Sequence, residues 1–307
     1  MNQQEQSLSN LIKRWIGEVE GRFSNAQLDG ELDISTPKEK DVRRQVIKAL
    51  CDTRKVERIP HLTGTYRVID NEAPIMDWQR ADPKNIVKVK FPFELEQYVV
   101  VFPKSIIILA GAKNECKTLY CYDFTLENMY HPLGVDLYNS ETGMEQMKER
   151  FDNFDVEIPN PAPFRVFERY DNFSDCIDPN RISVIDYLDL DSEVYMVGAE
   201  INRIFQKLDK GIALIALQKP PSQTIYVKGV KKTISRDLAY GGSFTAKRAS
   251  LYLSLDNRKL KIVYAKNRAN PKTNPNNMQW VFAVNDLGTK FLDIRQAYEQ
   301  GEFGGEL

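Results

Sequence analysis

The chain has 307 residues, of which 42% are hydrophobic and 28% charged, and its net charge at pH 7 is −1. This is the composition of an ordinary globular protein, and the length fits about two domains. The near-zero charge excludes a uniformly basic coat for nucleic acid but leaves room for local basic surfaces. No apolar run approaches the length of a membrane span, and the first residues lack a signal-peptide layout. We therefore expect a cytoplasmic protein with no membrane partner.

The cysteines also restrict the class of protein. Four are scattered along the chain with only two histidines for company; they are Cys51, Cys116, Cys121 and Cys176. That spacing is not a zinc framework, and it favours a reducing compartment over a disulfide scaffold.

The first 70 residues form a self-contained pattern. Apolar residues recur at helical spacing between Leu8 and Val19, a short segment covers 24–32, and a longer helix is predicted at 37–53. Thr36 and Pro37 suit the N-cap and the first turn of that helix. Two short strands are predicted at 56–59 and 64–69, around a turn. Three helices followed by a hairpin predict a winged helix-turn-helix domain over residues 1–70.

The third predicted helix has a basic face. Its cations lie largely off its apolar side; they are Lys40, Arg43, Arg44 and Lys48. One interpretation is that these side chains bind duplex DNA. The other is a small helical adaptor with an ordinary solvated face, and the sequence leaves both open.

The rest of the chain predicts one α/β domain. Residues 71–92 are irregular, contain three prolines and are predicted to be a linker. Strands are predicted at 105–110, 135–138, 164–168, 182–185, 211–217, 249–255 and 259–265, and helices at 117–128, 143–154 and 194–208. This alternation predicts a mostly parallel sheet covered by helices over 93–290. In the tail, 291–307, we expect a short helix and then disorder.

The most specific motif follows the first apolar strand of that domain. Eight residues nearly match the phosphate-binding pattern G-x-x-x-x-G-K-[ST]; they are Gly111, Ala112, Lys113, Asn114, Glu115, Cys116, Lys117 and Thr118. Backbone N–H groups of such a loop hold phosphates, its lysine adds charge for the β- and γ-phosphates, and its threonine binds Mg²⁺. The loop therefore predicts a site for ATP and Mg²⁺.

The loop departs from the pattern at its second glycine, where the chain has Cys116. A Cβ at this position removes conformational freedom that glycine supplies. Glu115 also brings a carboxylate near the position of a bound polyanion, which repels it. Weakened binding or lost turnover is therefore expected as an alternative to a fully active loop.

Two acidic residues follow other predicted strands. Asp186 ends the run 182–185, where it suits Mg²⁺ held through water beside Thr118. A turn residue or a helix cap is the other interpretation of Asp186. Glu141 follows the strand that ends in Asn139 and Ser140, and a carboxylate there can orient or deprotonate an attacking water. Alternatively, Glu141 caps the helix that opens near Thr142.

Polar and basic residues also follow the later strands. Gln218 ends a strand and suits a sensor of the γ-phosphate. Residues 241–248 combine glycines, hydroxyls and the cations Lys247 and Arg248, which suits either a grip on a nucleic-acid backbone or an ordinary surface loop. Lys266 and Arg268 end another strand, as surface charges or as fingers that reach a neighbouring subunit's phosphate.

The order of these motifs resembles the RecA-like ATPases, in particular the replicative-helicase branch of DnaB type with related phage and plasmid ATPases. The resemblance covers roughly residues 90–285 and implies a RecA-like P-loop core. The site that it implies comprises a Walker A loop at 111–118, a catalytic glutamate at Glu141, a Walker B aspartate at Asp186, a sensor at Gln218, a DNA-facing loop at 241–248 and a finger pair at Lys266 and Arg268.

We accordingly expect a DNA-associated ATPase that binds ATP between the subunits of a homo-oligomeric ring or filament. Its catalytic residues would be Lys117, Glu141, Gln218, Lys266 and Arg268. The main alternative is a weakly active or inactive P-loop scaffold or regulator that binds DNA through the winged helix. A third possibility is an adaptor whose N-terminal domain binds a protein partner. Cys116 favours the scaffold, whereas the retained Lys117 favours the enzyme.

Overall fold

The structure is a computed structural model. It describes residues 3–19, 21–70, 73, 75–188, 196–221, 223–227, 230–234 and 236–297. The chain divides into two compact units, Met1–Ala81 and Asp82–Leu307. Among the described helices, none combines the length and the apolar character that crossing a bilayer requires.

The smaller unit contains three helices and a three-stranded antiparallel sheet. Its elements are α1 (Gln3–Glu18), β1 (Arg22–Ser24), α2 (Asn25–Glu31), α3 (Pro37–Asp52), β2 (Val56–Arg58) and β3 (Thr65–Val68). The sheet order is β1-β3-β2. The three helices and the hairpin confirm the predicted elements, while β1 was not predicted.

Local chemistry explains where α3 begins and which side it buries. The Thr36 hydroxyl accepts the Glu39 N–H, and the Glu39 carboxylate accepts the Thr36 N–H at 2.8 Å, which forms a capping box. The apolar side of α3 then packs into the core of the unit. That core contains Ile12, Ile16, Phe23, Leu28, Ile34, Val42, Val46, Ile47 and Val56.

A nine-stranded sheet organises the larger unit. Its strands are β4 (Ile106–Gly111), β5 (Val135–Asn139), β6 (Arg165–Glu168), β7 (Ile182–Asp186), β8 (Ile212–Gln218), β11 (Ala249–Asp256), β12 (Lys259–Ala265), β13 (Gln279–Val284) and β14 (Phe291–Ala297). A separate hairpin comprises β9 (Gln223–Val227) and β10 (Val230–Ile234). The helices are α4 (Lys117–Glu127), α5 (Met144–Asp152), α6 (Phe173–Cys176), α7 (Met196–Lys207) and α8 (Ser243–Ala246).

The sheet order is β14-β13-β12-β11-β4-β8-β7-β5-β6, and the six strands from β11 to β6 are parallel. The predicted fold class is confirmed: a mixed α/β unit with a large, mostly parallel sheet, consistent with a RecA-like P-loop core. Strand β4 is buried on both faces. Ile106 and Ile108 belong to the hydrophobic cluster that contains α7 residues, and Ile107 and Leu109 to the one that contains α4 residues. Burial on both faces explains why this strand is a continuous apolar run.

Two regions differ from the sequence prediction. The helix predicted after Lys290 is wrong, because Phe291–Ala297 pairs with β13 as an antiparallel strand. Val87, Val89 and Phe91 come from the segment predicted to be a linker, yet they are buried in the core of the larger unit. Residues 194–195 of the predicted helix 194–208 and residues 298–307 of the tail lie outside the described part of the chain.

Parallel pairing brings several loops to one edge of the sheet. Strands β4, β5, β7 and β8 all end at this edge, so the segments that follow Gly111, Asn139, Asp186 and Gln218 emerge there together. In open α/β sheets, ligands bind outside the carboxyl ends of the strands. The carboxyl edge therefore holds the candidate site.

Candidate nucleotide-binding site

The predicted phosphate loop joins the end of β4 to the start of α4. The ammonium group of Lys117 donates to the carbonyl oxygens of Gly111 at 3.1 Å and Ala112 at 2.9 Å, so its side chain lies across the loop. A Cβ on Gly111 would stand only 2.7 Å from Lys117 Cγ. Glycine at position 111 thus makes room for the lysine, and the first N–H groups of α4 are available for an anion.

Cys116 immediately precedes α4 in the left-handed conformation, with φ 62° and ψ 23°. A side chain costs roughly 1 kcal/mol in this region, which is why glycine is usual there. The thiol accepts a hydrogen bond from Arg258 Nη1 at 2.9 Å. Burial raises the pKa of the Cys116 thiol, so the group is protonated at neutral pH. The substitution therefore strains the loop and adds one side-chain contact.

Asp186 ends β7 directly beside the loop. Its Oδ1 accepts a hydrogen bond from the Thr118 hydroxyl at 3.3 Å. The residue is fully buried, and its Oδ2 has no hydrogen-bond partner in the described part of the chain. Burial, and secondarily the charge of Glu141, raises the pKa of Asp186 to about 7. An unpaired carboxylate at this position is electrostatically costly in the empty protein.

The pair fits a hydrated Mg²⁺ bound with a polyphosphate. Mg²⁺ prefers oxygen donors and retains several waters, so one hydroxyl and one carboxylate suffice when phosphate supplies the rest. Over the described residues, no three His, Cys, Asp or Glu side chains are grouped as a metal cage. The Thr118 hydroxyl and the orphaned Asp186 oxygen are therefore the protein donors on which such an ion would depend.

Glu141 lies in a short turn after β5 that is fastened to β7. The Ser140 N–H donates to the Asp186 carbonyl at 3.0 Å, and the Ser140 hydroxyl donates to the Tyr187 carbonyl at 2.8 Å. The alternative role of Glu141 as a helix cap is not observed, because Gly143 is the N-cap of α5 and no side chain caps it. Glu141 is instead exposed at the carboxyl edge.

One cavity of about 730 Å³ contains most of the predicted residues. Its lining includes loop residues 113–118, Glu141 and Gln218. Gln218 reaches it because it is paired in register with Gly111 at the end of the neighbouring strand. Burial lowers the pKa of Lys117, while the charges of Glu141 and Asp186 act in the opposite direction. The cavity thus brings together a cation, a hydroxyl, an amide and a carboxylate.

The cavity also contains residues that the sequence prediction missed. Arg150 enters from α5, Arg258 from the turn between β11 and β12, and residues 285–289 from the turn between β13 and β14. No motif marks them, since they reach the loop only through strand pairing. The dipeptide Asn257-Arg258 between two apolar runs is a hairpin signal, but it does not reveal what the turn contacts.

Other predicted residues lie at the opposite edge of the sheet. Ala249 is paired with Ile106, the first residue of β4, so Lys247 and Arg248 precede the sheet at its amino edge. Lys266 and Arg268 follow the end of β12, which is antiparallel to β11, and are exposed at the same edge. Strand β4 is about 20 Å long at the usual rise per residue. These four cations therefore do not reach the phosphate loop of their own chain.

Arg248 is partly occupied within the chain. Its Nε donates to Asn202 Oδ1 at 2.7 Å, and its guanidinium lies 4.8 Å from the centroid of the Phe205 ring. Lys247 is exposed beside it, at the end of the four-residue helix α8. Of the two predicted DNA contacts in this loop, Lys247 is the more available.

The basic face of α3 needs one correction. Arg43 is buried, with its side chain 9% exposed, and it forms an ion pair with Asp29 and a hydrogen bond with the Asn25 carbonyl. It lies on the inner side of the helix, contrary to the sequence-based placement. Arg44 and Lys48 are exposed and Lys40 is half-buried, so these three form the accessible part of the face.

The strand order and the loop after β4 define the class of fold, a RecA-like P-loop core. No known protein family matches the chain, and no curated protein sequence matches it significantly. Among solved structures, the chain is similar to the ATPase domain of a DnaB-like helicase, with 12% sequence identity and a TM-score of 0.46. That similarity covers 69% of this chain and 94% of the other. The fold class therefore rests on the strand order and the loop of this chain itself.

Proposed function

We propose that the larger unit is a Mg²⁺-dependent ATPase of RecA or DnaB type and that the protein acts on DNA. The observation that supports this most directly is the grouping of Lys117, Thr118, Glu141 and Asp186 at one edge of the sheet. A phosphate-binding cation, a metal-binding pair and a candidate base are the parts that phosphoryl transfer to water requires.

Each residue has a distinct role in this proposal. Lys117 exchanges its two loop carbonyls for phosphate oxygens, and the N–H groups at the start of α4 bind the same anion. Thr118 and Asp186 would hold Mg²⁺, which neutralises phosphate charge when bound. Glu141 orients the attacking water and accepts its proton. Gln218 contacts the γ-phosphate from the end of β8.

A binding experiment tests the proposal. Purified protein should bind ATP in the presence of Mg²⁺, and Lys117→Ala should weaken binding by about tenfold or more, since it removes a charge-assisted hydrogen bond to phosphate. Lys148→Ala is the matched control, because Lys148 is an exposed lysine on α5, paired with Asp152. Phosphate release is then measured without DNA, with single strands and with duplex. Absence of nucleotide binding in the wild type would refute the proposal.

A non-catalytic scaffold is the second candidate function. The observation that favours it is the left-handed conformation of Cys116, together with the carboxylate of Glu115 in the same loop. A scaffold would bind ATP but release no phosphate under any DNA condition. Phosphate release that Lys117→Ala abolishes would exclude it.

We propose two DNA-contacting surfaces. One is the accessible basic face of α3, formed by Lys40, Arg44 and Lys48, in a winged helix-turn-helix domain. The other is the loop that carries Lys247 and Arg248. We also propose that Lys266 and Arg268 act as fingers on a neighbouring subunit's nucleotide, which requires a homo-oligomer. Their position at the amino edge supports action between subunits, because they do not reach their own loop.

A further inference from the structure

The turn between β11 and β12 carries an arginine where glycine is usual. Asn257 and Arg258 have φ values of 49° and 59°, so both central residues of this two-residue turn are left-handed. Such turns strongly prefer Asn-Gly, because the second position also needs positive φ. Arg258 is exposed and faces the cavity of the phosphate loop. A bulky residue held in this conformation suggests a functional reason for its presence.

Cys116 is the same kind of exception in the loop itself. It also occupies a glycine position in the left-handed conformation, with φ 62°. The two exceptions contact each other, since Arg258 Nη1 donates to Cys116 Sγ at 2.9 Å although the residues are 142 positions apart. Each departure from glycine thus supplies one partner of a single contact at the mouth of the loop.

The base of the hairpin is fixed to the strands that form the site. The buried ammonium of Lys219 donates to Ser254 Oγ at 3.0 Å and to Asp256 Oδ2 at 3.2 Å. The Lys219 N–H donates to the Gly111 carbonyl at 3.0 Å. Lys219 therefore ties the start of the turn to β4 and β8, directly beside the loop. Arg258 is presented from a rigid base.

Arg258 has donors left for an anion. A guanidinium carries five N–H donors in a planar fork, and the contact with Cys116 uses one of them. Its cavity already contains Lys117 as a phosphate-binding candidate, and the unpaired Asp186 oxygen lies beside the loop as an independent mark of a missing ligand. An anion that contacts the Cys116 N–H would lie within reach of this guanidinium.

We propose that Arg258 binds the phosphate chain of a nucleotide held by its own subunit, and that the Cys116 thiol positions it. The cysteine that breaks the loop pattern is then the anchor of a second phosphate-binding cation. Lys117 and Arg258 approach the phosphates from two sides of the same loop. This inference rests on the proposed nucleotide binding and deepens it, because it assigns a residue that recognises the polyphosphate part of the ligand.

Displacement of a fluorescent ATP analogue by ATP, tripolyphosphate or adenosine tests the role of Arg258. Arg258→Ala should weaken binding of ATP and of tripolyphosphate by about tenfold, as expected when a charge-assisted hydrogen bond is removed. Binding of adenosine should not change. Lys259→Ala, at the adjacent exposed lysine, should match the wild type. Unchanged ATP affinity in Arg258→Ala would overturn the proposal, and so would a loss that adenosine shares equally, which indicates a contact to the base.

A double-mutant cycle tests the positioning role of Cys116. In a Cys116→Ala background, which keeps the Cβ but removes the acceptor, Arg258→Ala should cost only about two- to threefold. Cys116→Ser retains an acceptor and should restore most of the tenfold effect. Additive effects of Cys116→Ala and Arg258→Ala on tripolyphosphate binding would refute positioning by the thiol.

Lys117→Ala separates failure of this inference from failure of the proposed function. If the wild type binds no nucleotide, both are refuted. If the wild type binds ATP and Lys117→Ala abolishes binding while Arg258→Ala has no effect, the nucleotide site stands and only the role of Arg258 is refuted.

Discussion

The Thr118 hydroxyl donates to Asp186 Oδ1 at 3.3 Å, across 68 positions of sequence. This contact joins the loop after β4 to the end of β7, two strands away in the sheet. It satisfies only one oxygen of a fully buried carboxyl group whose pKa is raised to about 7. Asp186 therefore changes protonation close to physiological pH, and a cation and a proton would compete for it.

The first prediction concerns the pH dependence of nucleotide binding. Below pH 7 the Asp186 carboxyl is mostly protonated in the empty protein, and above pH 7 it is mostly ionised. The Mg²⁺-dependent part of ATP affinity should therefore increase from pH 6 to pH 8 and then level off. Titrations with Mg²⁺ and with a chelator, at each pH, isolate that part. Asp186→Asn should remove the increase; a variant that retains it would show that another group titrates.

The second prediction concerns stability without ligand. The pKa of Asp186 is raised from 3.8 to about 7 in the folded protein, so the folded state binds this proton more tightly than the unfolded state. The free energy of unfolding should consequently fall as the pH rises from about 4 to about 7, by about 1.4 kcal/mol for each unit of pKa difference. Denaturant unfolding at pH 5.5 and pH 8 measures this loss. It should be smaller in Asp186→Asn, and an equal loss in both proteins would contradict the assignment.

The third prediction separates nucleotide binding from hydrolysis. Glu141→Gln removes a base but keeps the size of the side chain, so ATP affinity should stay nearly intact. Phosphate release should fall by about 10²-fold or more, in line with general-base contributions. Glu149→Gln, at an exposed position on α5, is the matched control. Unchanged hydrolysis in Glu141→Gln would assign the base elsewhere.

The fourth prediction distinguishes the structural arginine of α3 from the accessible cations. Replacing Arg44 and Lys48 by alanine should weaken duplex binding and reduce the salt slope by about 0.9 for each phosphate that is no longer contacted. Removing the exposed pair Lys13 and Arg14 from α1 deletes the same charge and should have little effect. Arg43→Ala should instead lower the stability of the smaller unit, because it leaves Asp29 without its ion-pair partner. Equal affinities in all these variants would remove duplex DNA as a partner of α3.

The fifth prediction concerns shared active sites. Arg268→Ala leaves the phosphate loop intact, and Lys117→Ala leaves the finger pair intact. Each variant alone should be inactive, and a mixture should regain part of the activity, because some interfaces then combine an intact loop with an intact finger. Phosphate release is measured against mixing ratio and protein concentration. Full activity of a strictly monomeric wild type would show that Lys266 and Arg268 are surface charges.

Local patterns in the sequence were sufficient for the elements and for most of the loop. The run before Gly111 predicts a doubly buried strand because burial on both faces requires continuous apolar residues. The loop spacing predicts Lys117 and Thr118 at the start of a helix because its contacts lie within a few residues. Thr36 and Glu39 similarly predict the start of α3 through a contact across three positions.

The tertiary structure decided which distant segments meet. Arg258 reaches Cys116 only because β11 pairs with β4, and Phe291–Ala297 becomes a strand only because β13 offers it an edge. Arg43 is buried because Asp29 on another helix neutralises it, which the spacing of α3 does not reveal. These contacts depend on pairing across tens to hundreds of residues, whereas helical spacing and loop motifs record only the interactions of near neighbours.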